Sequence, residues 1–517
     1  MTDEVTVESS LGRLRVEANG AAASGVRANG SIVTAGLRDD VCAGVRDESY
    51  RRAMCTLNRL SGRSASGEEL SVTFAERVVT AEGEAISRAK HEAALATLSA
   101  YGDAFDARGV PVAATPDGLP EELRQLPVDE LTIDPEEIMD GIDGSWRDAA
   151  TVSLPDALGL ETEELEGLTG VAAPYSGGCK GKRRRRGGRE EVDAADKRAV
   201  LEGYTRWLNS SDGIDDRRKV LRTWELELDS SQVCYVTIDA VLVDEQSGER
   251  VRGGKPRMRD GKTYVKHWNA RVEADGIRYA VTSTDETEAY LELIACLVRN
   301  GLTQRRLVFI TDGETRIKDR IEERFVPWEH SVFLDWHHLQ CKIYELTSSM
   351  IRGRRVDDPD AEVEYYKKGK SKGEPKPCRE RTSLSRLYAE EACLIAWAGN
   401  VAQLIAYIRC IPAKDVKDES ARSRLIGYLE RKADMITCYA LRKRVGLINS
   451  SNGSEQQNQM LVSQRQKQPL MAWGKPGSGA LASVTSIYRN DEDRRWFGSG
   501  EATLSIGGLG HDLGAAA

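Results

Sequence analysis

Two aspartates stand in stretches that otherwise read as buried strands. Asp239 interrupts Tyr235-Val-Thr-Ile-Asp-Ala-Val-Leu-Val243, and Asp312 follows Leu307-Val-Phe-Ile-Thr311 and precedes Gly313. A charge in such a run costs several kcal/mol to bury unless it is paired or bound to a cation. The carboxyl end of a strand, where Asp312 falls, is where open α/β sheets bind ligands. If the two strands are neighbours the acids converge, and a divalent cation relieves their repulsion. Mg²⁺ and Mn²⁺ favour such oxygen ligands. A third acid would complete a pair of metals about 3.5–4 Å apart, bracketing the attacking and leaving oxygens of phosphoryl transfer. Taken singly, Asp239 also reads as a satisfied buried acid and Asp312 as a helix cap.

The elements that must position these acids begin near residue 230. Cys234–Val243 predicts a long buried strand rich in β-branched residues, followed by strands over Thr263–Glu273 and Ile277–Thr282. Asp275-Gly276 between the latter two is a strong hairpin signal. A helix over Glu286–Asn300, closed by Gly301, precedes strand Leu307–Thr311, a charged helix over 315–325 and strand Ser331–Asp335. Three meandering strands and then alternating helices and strands imply an α/β fold: a mixed sheet covered by helices, of the ribonuclease-H-like kind. Residues 336–448 read as almost entirely helical, with segments Leu384–Ile411 and Leu425–Val445, a block far too long for a loop. Residues 1–178 are Ala/Gly-rich and poorly patterned apart from a helix over about 83–101, and contain no helix-turn-helix or zinc-finger pattern.

Composition narrows the class. The 517 residues carry a net charge of −9 and 40 % hydrophobic residues. No run approaches the roughly 18 apolar residues of a membrane span, and Met1-Thr-Asp-Glu-Val lacks the features of a signal peptide. The ten cysteines form no C-x-x-C pair, and several sit in apolar runs, as small buried hydrophobes do. A reducing, cytoplasmic location is expected. The charge is uneven: residues 101–170 hold 18 Asp and Glu against three Lys and Arg, a balance of −15 that leaves +6 elsewhere. Lys180–Arg189, which includes Lys182, Arg183, Arg184, Arg185 and Arg186, has seven positive charges and no negative one. A second basic stretch runs from Lys367 to Lys376. Both read as exposed linkers or as phosphate contacts.

From 230 to 497 the chain resembles bacterial insertion-sequence transposases of the DDE class. The resemblance rests on Tyr-Val-Thr-Ile-Asp239-Ala, Leu-Val-Phe-Ile-Thr-Asp312-Gly, Phe-Leu-Asp335-Trp-His-His338-Leu and Asn449-Ser-Ser-Asn-Gly-Ser-Glu455-Gln-Gln-Asn458. It continues through Leu461-Val-Ser-Gln-Arg465-Gln-Lys467 and Met471-Ala-Trp473. The family implies that Asp239, Asp312 and Glu455 are the catalytic, metal-binding triad for two Mg²⁺ (or Mn²⁺) ions. It also implies that the helical block is an insertion in a ribonuclease-H-like core. Glu455 would open the closing helix, with Asn458, Leu461, Val462 and Arg465 on about one face. Glu314 lies too near Asp312 to match as third ligand. Asp335 and His338 resemble a D-x-x-H signature that orders the site or contacts DNA, and read equally as a structural pair with His338 hydrogen-bonded near the sheet edge. Asn458, Arg465 and Lys467 join the basic run 182–186 as DNA-binding candidates, whereas Trp268 and Trp473 read as packing residues.

These expectations divide the chain into an acidic N-terminal region (1–178) serving DNA-end binding or oligomerisation, and a basic linker and helix (179–229). The catalytic core (230–340), the helical insertion (341–448), and the closing helix with a C-terminal tail (449–517) follow, with the N-terminal region standing separate. The expected activity is metal-dependent DNA strand cleavage and transfer by a homodimer or larger oligomer on double-stranded DNA. A ribonuclease-H-like nuclease without strand transfer and a domesticated DNA-binding protein are the alternatives. The acidic 101–170 segment would shield the basic run until DNA displaces it.

Overall fold

The computed structural model describes residues 3–10, 12–18, 27–28, 31–126, 232–246, 263–357, 366, 373, 381–397, 401–437, 439, 448–468 and 471–507. It is a mixed α/β structure with a small N-terminal sheet and a larger central one. β1 (Asp3–Ser9), β2 (Gly12–Ala18), β3 (Arg27–Ala28) and β4 (Ser31–Val33) form the small sheet, in the order β2-β1-β4-β3. Helices α1 (Ala35–Asp47), α2 (Tyr50–Leu60) and α3 (Val72–Ser99) follow. Each is capped by a side-chain oxygen, from Thr34, Ser49 and Ser71 respectively, that satisfies an orphan N–H of its first turn.

The central sheet contains β5 (Val233–Asp244), β6 (Tyr264–Ala274), β7 (Ile277–Ser283), β8 (Arg306–Thr311) and β9 (His330–Leu334), in the order β7-β6-β5-β8-β9. The first three are antiparallel neighbours, and β8 and β9 add in parallel to β5. At the β6–β7 turn Asp275 and Gly276 have φ of 53° and 75°. Two consecutive positive φ values define the tight turn whose twist matches a hairpin.

Alternation along β5 sorts its side chains onto two faces. Val236 and Ile238 join Trp268 and Ala270 of β6 in the main core beneath α4 (Glu286–Arg299). Val241 and Val243 face the other way, onto Leu461, Val462 and Ala482. α4 is buried at every position from Ala289 to Val298, which a helix with one wet face could not be. α5 (Thr315–Arg324) connects β8 to β9, and α6 (Trp336–Met350) leaves the far edge.

The helical block holds α7 (Leu384–Trp397), α8 (Val401–Cys410) and α9 (Glu419–Lys432). It is not wholly helical: β10 (Arg355–Asp357) and β11 (Arg381–Ser383) pair antiparallel at its base. Three-residue strands carry too little alternation to be read from sequence. The span expected as one segment, Leu384–Ile411, is two helices. The chain returns through α10 (Asn452–Asn458), a π-helical turn (Gln459–Ser463) and a last helical turn (Gln464–Gln466), and ends with α11 (Lys475–Arg489) and α12 (Asp493–Ser499).

The N-terminal region does not stand separate. α3 starts eleven residues earlier than its apolar spacing suggested and lies between α4 and α11. Leu37, Val41, Phe74, Val78 and Ile86 share a core with Leu481, Val484, Ile487 and Trp496. Buried polar contacts cross the same boundary: Glu82, which also accepts from Arg38 of α1 (2.6 Å), accepts from the Trp496 indole (2.9 Å), and Lys90 donates to Ser486 (2.9 Å). The whole of 127–231, including the basic run and most of the acidic segment, lies outside the described residues. Among the described residues no helix is long and apolar enough to cross a membrane.

Gly83 sets how closely α3 meets α11. A Cβ there would come within 2.3 Å of the Ala480 backbone. In an open helix, Gly→Ala gains about 1 kcal/mol; overpacking a rigid contact costs about 1–3 kcal/mol or more. Gly83→Ala should therefore destabilise the protein by roughly 2 kcal/mol in urea unfolding. Gly498→Ala in α12, where nothing lies within 4 Å of the new Cβ, should be neutral or stabilising.

Candidate active site

The β5–β8 register pairs Thr237 with Ile310. Asp239 lies two residues beyond Thr237 on β5, and Asp312 two beyond Ile310, just past the end of β8. The charge of Asp312 acts on Asp239. Asp312 Oδ1 accepts the Glu314 N–H (2.8 Å), steering the chain from β8 into α5, and Gly313 between them takes a φ of 86°. That left-handed conformation, with Leu334 Cδ1 only 2.6 Å from where a Cβ would sit, explains the glycine after the aspartate.

Asp239 is half-buried. Oδ1 accepts from the Ala240 N–H (2.6 Å), and Oδ2 accepts from Asn458 Nδ2 (2.5 Å). Burial raises its pKa above the ordinary carboxylate value; the Ala240 N–H and the charge of His338 oppose this, while Asp312 and Glu455 add to it. Glu455, exposed in the first turn of α10, is thus close enough for its charge to act on Asp239.

Asp335 holds that first turn in place. It caps α6, with Oδ1 accepting from the His338 N–H (3.0 Å), and its other oxygen accepts from the Ser451 hydroxyl (2.7 Å) and the Ser451 N–H. Ser451 immediately precedes the helix that carries Glu455, so one carboxylate ties the end of β9 to the start of α10. The Trp336 N–H donates to the Asn449 carbonyl (3.1 Å) beside it. His338 Nδ1 lies 3.3 Å from Asp335 Oδ1. This carboxylate is the main influence raising the His338 pKa against the effect of burial, and Asp312 and Glu455 reinforce it.

The sequence candidates fare differently. Asp239, Asp312, Glu455, Asp335 and His338 gather at one end of the sheet. Asn458 and Arg465, expected to face DNA, are instead buried at about 5 % exposure. Asn458 is engaged with Asp239, and Arg465 donates to the Val45 carbonyl (2.9 Å) with its guanidinium over Trp473. The physical reason is Leu461 and Val462: they share that helix face and carry it into the apolar layer over β5. Lys467 is exposed, and Lys182, Arg183, Arg184, Arg185 and Arg186 lie outside the described residues. Trp268 is a packing residue, buried with Lys266 and Arg316 over its ring. Reading the sequence missed Asn269, Thr282, Ser451 and Lys432. Lys432 of α9 reaches Thr315 (3.2 Å) beside Asp312, and no spacing rule links it to residues more than a hundred positions away.

Carboxylate oxygens at the end of adjacent strands suit a hard divalent cation, and the mutual repulsion felt by Asp239 is what such an ion would relieve. Among the described residues no three His, Cys, Asp or Glu side chains form a group that could hold a metal ion. Asp239 feels the charge of Asp312 and of Glu455, but the three do not close into such a group. No family model, curated protein or solved structure matches the chain.

Burial would raise the Asp335 pKa, but the hydrogen bonds from His338 and Ser451 win and hold it at about 2. A carboxylate with a depressed pKa stabilises the fold above the ordinary value near 4, and that contribution is lost as pH falls from about 4 through about 2. Asp335→Asn should cost roughly 2 kcal/mol at pH 7. Urea unfolding at pH 7, 4 and 2.5 should show the gap to wild type closing across the acid range.

Proposed function

We propose that the chain is a DNA transposase of the DDE class, built on a ribonuclease-H-like core, that cuts and joins DNA by metal-dependent phosphoryl transfer. The observation that carries this reading is that Asp239 on β5 and Asp312, just past the end of the neighbouring β8, lie near enough for the charge of Asp312 to act on Asp239, as that of Glu455 does. The strand order β7-β6-β5-β8-β9, with β6 alone antiparallel to its two neighbours, agrees with that core. So does the helical block between Asp312 and Glu455.

Asp239, Asp312 and Glu455 would hold two Mg²⁺ or Mn²⁺ ions. When bound, these would activate a water and later a DNA 3′-hydroxyl, and stabilise charge on the phosphodiester under in-line attack. The protein's own contribution is orientation: Asp335 holds the start of α10 and, beside the acids, raises the His338 pKa. Lys467 and the basic run 182–186 would neutralise phosphates, making binding steeply salt-dependent. Two element ends cut together require a homodimer or larger assembly.

The test is incubation of linear DNA carrying the gene's own flanks, plus a target plasmid, with Mg²⁺ or Mn²⁺. Wild type should nick the element ends and join them to the plasmid, and Asp312→Asn should lose activity about a thousand-fold. Nicking without joining would point to a ribonuclease-H-like nuclease. Equal results from both proteins, with DNA still bound, would overturn catalysis at these acids.

A further inference from the structure

A chain of four polar side chains runs inward from Asp239 across the central sheet. Thr282 of β7 donates its hydroxyl to Asn269 Oδ1 (2.6 Å), Asn269 Nδ2 donates to Asn458 Oδ1 (2.7 Å), and Asn458 Nδ2 donates to Asp239 Oδ2 (2.5 Å). Thr282, Asn269 and Asn458 are 6 %, 1 % and 5 % exposed, so water does not substitute for any link. The register places Asn269 opposite both Asp239 and Thr282, so the three strands bring these residues to one level. Asn458 reaches that level from above, three residues beyond Glu455.

The direction of this chain is dictated by its outer end. An ionised carboxylate only accepts, so Asn458 must present its NH₂ to Asp239 and its carbonyl oxygen to Asn269. Asn269 must then donate with its own NH₂, which turns its oxygen towards the Thr282 hydroxyl. No link can reverse without breaking the others. We propose that Asn269 and Thr282 are positioning residues of the Asp239 site: acting through Asn458, they orient one carboxylate oxygen and lock the register of the Glu455 helix on the sheet. This inference rests on the metal-site reading above. A carboxylate that holds a cation is ordinarily steered by such outer hydrogen bonds, and losing them typically weakens metal binding about 10–100-fold.

A second contact fixes the same helix: Gln457 Nε2 donates to the Ala270 carbonyl (2.8 Å). Loss of the relay should therefore disturb orientation at Asp239 before it releases α10. Asn269→Asp is nearly isosteric and does not touch Asp239. A carboxylate at 269 has no proton to donate, so Asn458 must turn its amide over and aim its oxygen at Asp239. Two acceptors then face each other, and Asp239 Oδ2 loses its donor while Oδ1 keeps the Ala240 N–H.

The experiment measures Mn²⁺ binding to the full chain without DNA, by calorimetry or electron paramagnetic resonance, alongside melting temperature and steady-state cleavage. Asn269→Asp should weaken Mn²⁺ binding about 10–100-fold and lower kcat with KM for DNA unchanged, while keeping a cooperative melt. Thr282→Val should shift both in the same direction by less, and Thr282→Ser, which restores the hydroxyl, should recover them. If Asn269→Asp fails to fold, the Val and Ser pair at 282 decides the matter. Mn²⁺ binding that Asp312→Asn abolishes but that Asn269→Asp and Thr282→Val leave intact overturns the relay alone. Wild type that binds no Mn²⁺ overturns the metal-site reading and the relay together.

Discussion

The arrangement depends on one requirement: a carboxylate on the central strand of an apolar sheet must be given partners. Asp239 lies between Ile238 and Ala240 on β5, with strands on both sides and a helix layer over each face. Two donors, the Ala240 N–H and the Asn458 amide, meet its oxygens, and a line of buried hydrogen bonds supports the second. The closing helix is thus attached to the sheet by apolar packing of Leu461 and Val462 and by a directional polar contact that fixes its register. Apolar packing alone tolerates sliding; a chain of oriented amides does not.

A matching constraint operates at the other edge. Asp335 ends β9, begins α6 and holds Ser451, so three separate segments meet on one carboxylate with a pKa of about 2. Asp335 thus holds the start of α10 through Ser451 and Asp239 holds its last residue, Asn458, and between them Glu455 is close enough for its charge to act on Asp239. The π-helical turn follows immediately, between Asn458 and Arg465. Such turns are common near functional sites.

The N-terminal helices belong to this support. α3 packs against α4 on one side and α11 on the other, at a separation only a glycine at position 83 permits. The interface is unusually polar for one so buried. Glu82, Lys90, Glu292 and Glu492 all lie at or below 6 % exposure, and burial pushes the Glu292 pKa up to about 8. Lys90, 3.6 Å from Glu492, supplies the compensating charge, and the Tyr279 hydroxyl donates to the same carboxylate (3.1 Å). Breaking such a pair leaves an uncompensated charge inside, which is strongly destabilising.

Read alone, the amino-acid sequence determined the elements of the central sheet, their order, and the two strand aspartates. These follow from short-range rules: alternation, β-branched runs, and Asp275-Gly276 at a turn needing two positive φ values. The helix face through Asn458, Leu461, Val462 and Arg465 was legible too, but not its destination, which turned two supposed DNA contacts into buried ones. The N-terminal packing, the Ser451 clasp, Lys432 beside Asp312, and the relay through Asn269 and Thr282 were decided only by tertiary structure. The reason is separation along the chain. Asp239 and Asn458 are 219 positions apart and Asp335 and Ser451 are 116, and no local periodicity encodes which distant polar group will satisfy which. Local pattern states that a buried carboxylate needs partners; the fold alone chooses them.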